Sequence, residues 1–254
     1  MSKRIRFVIT ACLLSLGFIG INFLDNQLRF FAIAALTIST TILFYWSMRE
    51  SIALNAALLA LFLPTLFTLG VGLFWFLLPS SMLVRIPVVL FYGIGIYALG
   101  LTSNIYSVSA IRTIALVRAA RGVGFVLTLF TSFLLFDAIL SLRADLLTNA
   151  FLVFALSVPI LMQGLWASVL EKIISKELLI YTFILGISIT QIAVMLYWWP
   201  VSVVVGSLFL TVSIYVLLGL GQSKLEGRLF IRTVREYLTV STIVFITMFL
   251  ATQW

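Results

Sequence analysis

The chain has 254 residues, of which 63% are hydrophobic and 9% charged, with 16 basic against 8 acidic side chains and a formal charge of +8. A water-soluble domain needs about 25% charged residues to cover its surface, so this composition, with its mean hydropathy of +1.24, excludes a soluble protein and predicts a helical, multi-span membrane protein. Histidine is absent and Cys12 is the only cysteine. That removes the commonest general base, an intrachain disulfide, and cysteine-based zinc or iron–sulfur sites.

Lys3, Arg4 and Arg6 precede an apolar run over residues 7–24. Ile9-Thr10-Ala11-Cys12 has the look of a lipoprotein cleavage box. The apolar stretch before Cys12 is too short for a signal core, however, and the residues after it stay hydrophobic, which favours a first membrane-spanning helix. A second run covers 30–48, and only Arg49 and Glu50 separate it from a third over 51–84, so the two form a tight hairpin. The third run would make a helix of about 51 Å against a hydrocarbon core of about 30 Å. Its excess, around Phe74-Trp75-Phe76 and Pro79-Ser80-Ser81, is expected at the membrane surface.

A fourth span follows Arg85 over 88–104, a fifth covers 122–140 and a sixth 149–170. Residues 178–223 carry no charge and would make a helix of about 69 Å, too long for one crossing. Trp198-Trp199-Pro200 interrupts them, placing two interfacial indoles and a helix-breaking proline at a surface turn. The run therefore divides into a seventh span over 178–197 and an eighth over 201–220, and the ninth occupies 237–254. Nine spans of about 20 residues each use about 180 residues, so residues 1–254 are expected to form one integral membrane domain with short connectors. No internal repeat is evident.

With a cytoplasmic N-terminus, nine spans put 13 of the 16 basic residues inside, with Arg29, Arg85 and Arg143 outside. That asymmetry is the one the positive-inside rule requires.

Intramembrane polar groups are the first candidates for function, because a charge in hydrocarbon is costly. Asp137 is the only ionisable one, expected near the outer end of the fifth span, where Arg143 or Arg85 would pair with it. Pairing is the structural reading and a proton or cation relay the functional one. Gln163, Gln191, Asn55 and Asn22 are amides expected at mid-membrane depth, either lining a polar pathway or bonding helices together. Gly93-Ile-Gly95-Ile-Tyr-Ala-Leu-Gly100 lies within a hydrophobic span, without the strand or acidic partner of a dinucleotide site, and is read as a close helix-packing face. Two basic cytoplasmic segments stand out. Residues 222–238 place Phe230, Ile231, Val234 and Leu238 opposite Arg228, Arg232 and Arg235 on a helical wheel, predicting a surface-lying amphipathic helix centred on 222–236. Arg112 through Gly124 leads into the fifth span with Arg118 and Arg121 on one ridge. Both segments serve as topology anchors or as contacts for anionic lipid or protein partners.

No zinc-binding helix motif, serine–histidine pair, aspartyl dyad or magnesium-binding carboxylate cluster is present, so neither catalysis nor a cofactor is expected. The positive charge is accounted for by orientation and does not argue for nucleic acid. Leu218-Gly219-Leu220-Gly221-Gln222, Gly227-Arg228-Leu229-Phe230 and Arg235-Glu236-Tyr237-Leu238 fall in the C-terminal region. With Arg118-Ala119-Ala120-Arg121-Gly122-Val123-Gly124-Phe125 and Trp199-Pro200-Val201, they give the chain a pattern that resembles multi-span membrane proteins of Patescibacteria. The resemblance implies a bacterial inner-membrane location and a similar helical bundle, and carries no functional residues over. The expectation is a non-catalytic subunit or scaffold whose bundle and basic segments hold lipid, membrane-protein partners or a second copy. The alternative is a transporter or flippase for a small or lipidic solute.

Overall fold

The computed structural model describes residues 3–21, 23–49, 55–79, 82–110 and 115–252. Among the described residues every regular element is helical: α1 (Lys3–Ile21), α2 (Asn26–Met48), α3 (Phe62–Phe74), α4 (Met82–Ser109), α5 (Val117–Ser141), α6 (Leu146–Val169), α7 (Lys176–Tyr197), α8 (Val203–Leu225) and α9 (Ile231–Ala251). Tighter 3-10 segments, Asn55–Leu61 and Trp75–Leu77, extend α3 at both ends. With those extensions, nine described segments are long and apolar enough to cross a membrane. The chain divides into two compact units, Met1–Leu127 and Thr128–Trp254.

In the first unit α1 packs on α2 and α4, and α2 on α3. Glycines on two sides of α4 let α1 and α3 come close to it. A Cβ on Gly93 would stand 2.7 Å from Ser15 Oγ, one on Gly95 2.6 Å from the Phe67 ring, and one on Gly100 2.7 Å from the Phe7 ring. The small residues thus admit neighbouring side chains where any larger residue would exclude them. An aromatic cluster fills the centre, with the Phe18 and Tyr92 ring centroids 4.4 Å apart, Phe18 and Trp75 5.8 Å, and Phe67 and Tyr92 5.7 Å. The hydroxyls of Thr40, Thr68 and Tyr92 form a buried chain with 3.0 Å links, so polar groups inside the apolar core are paired with one another.

One boundary differs from expectation: α4 begins at Met82, ahead of Arg85, where the fourth span was expected to follow that residue. The apolar run over 51–84 divides as its length requires: the part that belongs with α3 ends at Leu77, and its last residues start α4. Trp75 is buried against Phe18 and beneath the Arg85 guanidinium, 5.1 Å from its ring. That cation–π contact also explains why α4 begins ahead of Arg85: the charge has an aromatic face to lie on and need not mark a helix end.

In the second unit α6 runs alongside α7, and α8 packs on α6, α7 and α9. Cβ atoms on Gly164 and Gly221 would stand 2.8 Å from Leu218 and Leu165, so α6 and α8 approach closely, and Gln222 Nε2 donates to the Gly164 carbonyl at 2.8 Å. Asp145, Ser175 and Ser202 cap the N-termini of α6, α7 and α8 through their side chains, as short polar residues do best. The turn expected at Trp198-Trp199-Pro200 is present between α7 and α8. The amphipathic helix expected over 222–238 is not. α8 ends at Leu225, Gly227 takes the left-handed conformation (φ 68), and α9 starts at Ile231. A helix cannot continue through that glycine, and Phe230, Ile231 and Leu238 are exposed along with the arginines. α9 has little cover beyond α8. The Tyr237 ring lies against Gly219, Trp199 Nε1 donates to Thr252 Oγ1 at 2.8 Å, and the Trp199 ring meets Phe245 and Phe249 edge-on.

Candidate functional site

α5 carries Asp137 into the second unit, where it is 5% exposed. Its partner is a hydroxyl: Ser207 Oγ on α8 donates to Asp137 Oδ1 at 3.3 Å and also to the Val204 carbonyl at 3.0 Å. The expected ion pair is not formed. Arg143 lies past the end of α5 in the turn to α6, in a left-handed conformation (φ 48) and exposed, and makes no ion pair with Asp137. Arg85, the other expected partner, belongs to the first unit and lies over Trp75.

Gln163 and Gln191, both in the second unit, face different ways. Gln163 on α6 is 2% exposed, and its Oε1 has no hydrogen-bond partner among the described residues. Gln191 faces outward from α7, on the exposed stripe that carries Ile180, Ile184 and Ile187. Asn55 opens the 3-10 segment before α3, but its side chain lies outside the described residues, as do Asn22 and Arg112. Arg118 is exposed and Arg121 half-buried in the first turns of α5. Arg228 sits 4.0 Å from Glu226, Arg232 Nε donates to Glu236 Oε1 at 3.2 Å, and Arg235 is exposed. The basic residues thus frame the break between α8 and α9, with two of them beside acids. Among the described residues no three acidic or cysteine side chains gather to hold a metal ion.

The side chains that do converge were not read together from the sequence. The turns joining α5 to α6 and α7 to α8 enclose a cavity of about 470 Å³, lined in part by Arg143, Asn149, Tyr197, Trp199 and Ser202. Asn149 sits in the first turn of α6, where Asp145 holds the helix start by accepting from the Thr148 hydroxyl at 2.6 Å and from its backbone N–H at 3.1 Å. Those two bonds hold the Asp145 carboxyl below the usual carboxylate range. The sequence signal was the Asp145-Leu-Leu-Thr148 cap, which places Asn149 early in a helix without saying what faces it. In the first unit a second, almost wholly apolar groove of about 580 Å³ runs between α1 and α4 past Cys12 and Gly93.

A family model described as "Protein of unknown function (DUF5656)" matches residues 9–251. No curated protein and no solved structure matches the chain.

Proposed function

The chain belongs to the DUF5656 family, and from that premise we propose that it is a non-catalytic multi-pass protein of a bacterial inner membrane that holds a partner transmembrane helix, as a subunit or scaffold of a membrane complex. The membrane placement is supported by the outside of the bundle, where Leu16, Phe31, Ile42, Phe91, Val126 and Phe151 are all exposed. An outer surface this apolar requires an apolar surrounding.

Gln191 carries the scaffold reading. It lies about 9 Å inside the C-terminal end of α7, outward-facing within an isoleucine stripe, and makes no hydrogen bond to any described residue. In hydrocarbon an unpartnered amide is costly, whereas a second helix laid on this stripe supplies both the apolar contact and a polar partner. The transport alternative needs Asp137, Gln163 and Gln191 along one interior path, and the outward placement of Gln191 weighs against it.

Gln191→Leu tests the reading. In mild detergent the wild-type chain is expected to elute in a complex and the variant to lose its partner while keeping its helical circular dichroism. A partner-free wild-type monomer from native membranes sinks the idea. Orientation is tested separately: in a Cys12→Ser background, Arg232→Cys is expected to resist an impermeant thiol reagent added from outside.

A further inference from the structure

The cavity between the α5–α6 and α7–α8 turns has a built polar wall. Asn149 is 7% exposed, lines the cavity, and its Oδ1 has no hydrogen-bond partner among the described residues. A buried acceptor left unpaired is costly, so it selects a ligand that donates to it. Arg143 lines the same cavity and makes no ion pair or hydrogen bond through its guanidinium to any described residue. The start of α8 reaches it through Ser202 and Val203, with no acidic side chain in that helix's first turn, so the partial positive charge of the helix start adds to that of Arg143. Leu140 closes an apolar side, and the volume falls within the roughly 300–1,000 Å³ of small-ligand sites.

We propose that this cavity binds a phosphate ester bearing a hydroxyl or amine, the chemistry shared by a phosphatidylglycerol head group and free glycerol phosphate. Arg143 pairs with the phosphate and Asn149 Oδ1 accepts from the hydroxyl or amine. The exposed Leu142, Leu147 and Trp198 beside the cavity favour a lipid as the source, because tryptophan and apolar side chains gather at the head-group level of a bilayer. The lipid source rests on the membrane placement proposed for the chain and is independent of partner docking at Gln191.

The test uses the full chain in mild detergent, titrated with phosphatidylglycerol, phosphatidylcholine and diacylglycerol of matched acyl chains and followed by native mass spectrometry. Phosphatidylglycerol is expected to bind about tenfold more tightly than phosphatidylcholine, whose choline has no N–H or O–H to offer Asn149. Arg143→Gln should weaken phosphatidylglycerol about tenfold, and Asn149→Ala should erase its advantage over phosphatidylcholine. Displacement by glycerol phosphate supports recognition of the ester alone, and binding that resists it supports a lipid ligand. Equal affinity for phosphatidylglycerol and diacylglycerol, or an unchanged Arg143→Gln variant, overturns the proposal. Arg143 is exposed, so its variant reads the site even if Asn149→Ala fails to fold. Gln191→Leu is expected to leave lipid binding unchanged, which keeps failure of the scaffold reading distinguishable from failure of this one.

Discussion

At Asp137 an oxygen accepts from the Ser207 hydroxyl at 3.3 Å, and an amide carbonyl in its place can accept the same proton. Asp137→Asn is therefore expected to change stability by no more than about 0.5 kcal/mol, checked by thermal denaturation in detergent. A larger loss would mean that the charge itself holds the fold. The identity of the partner could not be read from the sequence, because Ser207 lies 70 residues away and its alignment with Asp137 depends on how α8 sits against α5. The basic residues were easier to place. Most of them fall in or beside helix ends, since a charge in hydrocarbon costs more than any local preference can offset. Arg85, also in a first turn, is buried, and its accommodation depends on Trp75, which the sequence could not place beneath it.

Among the elements, the glycines of α4 were the most readable, because spaced glycines in an apolar helix have few uses other than close packing. With Phe67 so near the position of a Cβ on Gly95, Gly95→Leu is expected to cost about 1–3 kcal/mol by overpacking, measured as a lower midpoint of unfolding in denaturing detergent. An unchanged midpoint would show that α3 and α4 separate freely. The break between α8 and α9 was missed because a helical wheel gives Gly227 a position like any other residue and takes no account of its readiness to adopt positive φ. At the start of α6 the folded-state pKa of Asp145 lies below its ordinary value, so the cap contributes stability at and above the usual carboxylate range and loses it as the pH falls below that range. Wild-type stability is expected to be insensitive to this group near neutrality. Asp145→Asn, which still caps, should remove part of the acid dependence of unfolding between about pH 5 and 2. If the two proteins show the same acid dependence, the cap does not depend on the charge.

For the molecule as a whole, the composition shows how many helices form and that their outer surfaces are apolar, since both follow from runs of uncharged residues. It does not show which polar groups meet. Arg143 and Asn149 come together across a turn that leaves α5 and enters α6, and neither has a motif. The division into two compact units was equally hidden, because it depends on which apolar faces choose each other. The attachment of α9 has a consequence in time. α9 lies along α8, with Tyr237 against Gly219 and Tyr215 and with Phe245 against Phe209, and it meets the α7–α8 turn where Trp199 reaches Thr252, Phe245 and Phe249. An element held along one face and otherwise exposed opens without disturbing the rest. In hydrogen–deuterium exchange the amides of α9 are expected to lose protection well before those of α6, and Trp199→Phe, which removes the indole donor, should bring the loss in α9 earlier still. Protection that decays in step along both helices would show that α9 opens only when the whole unit does.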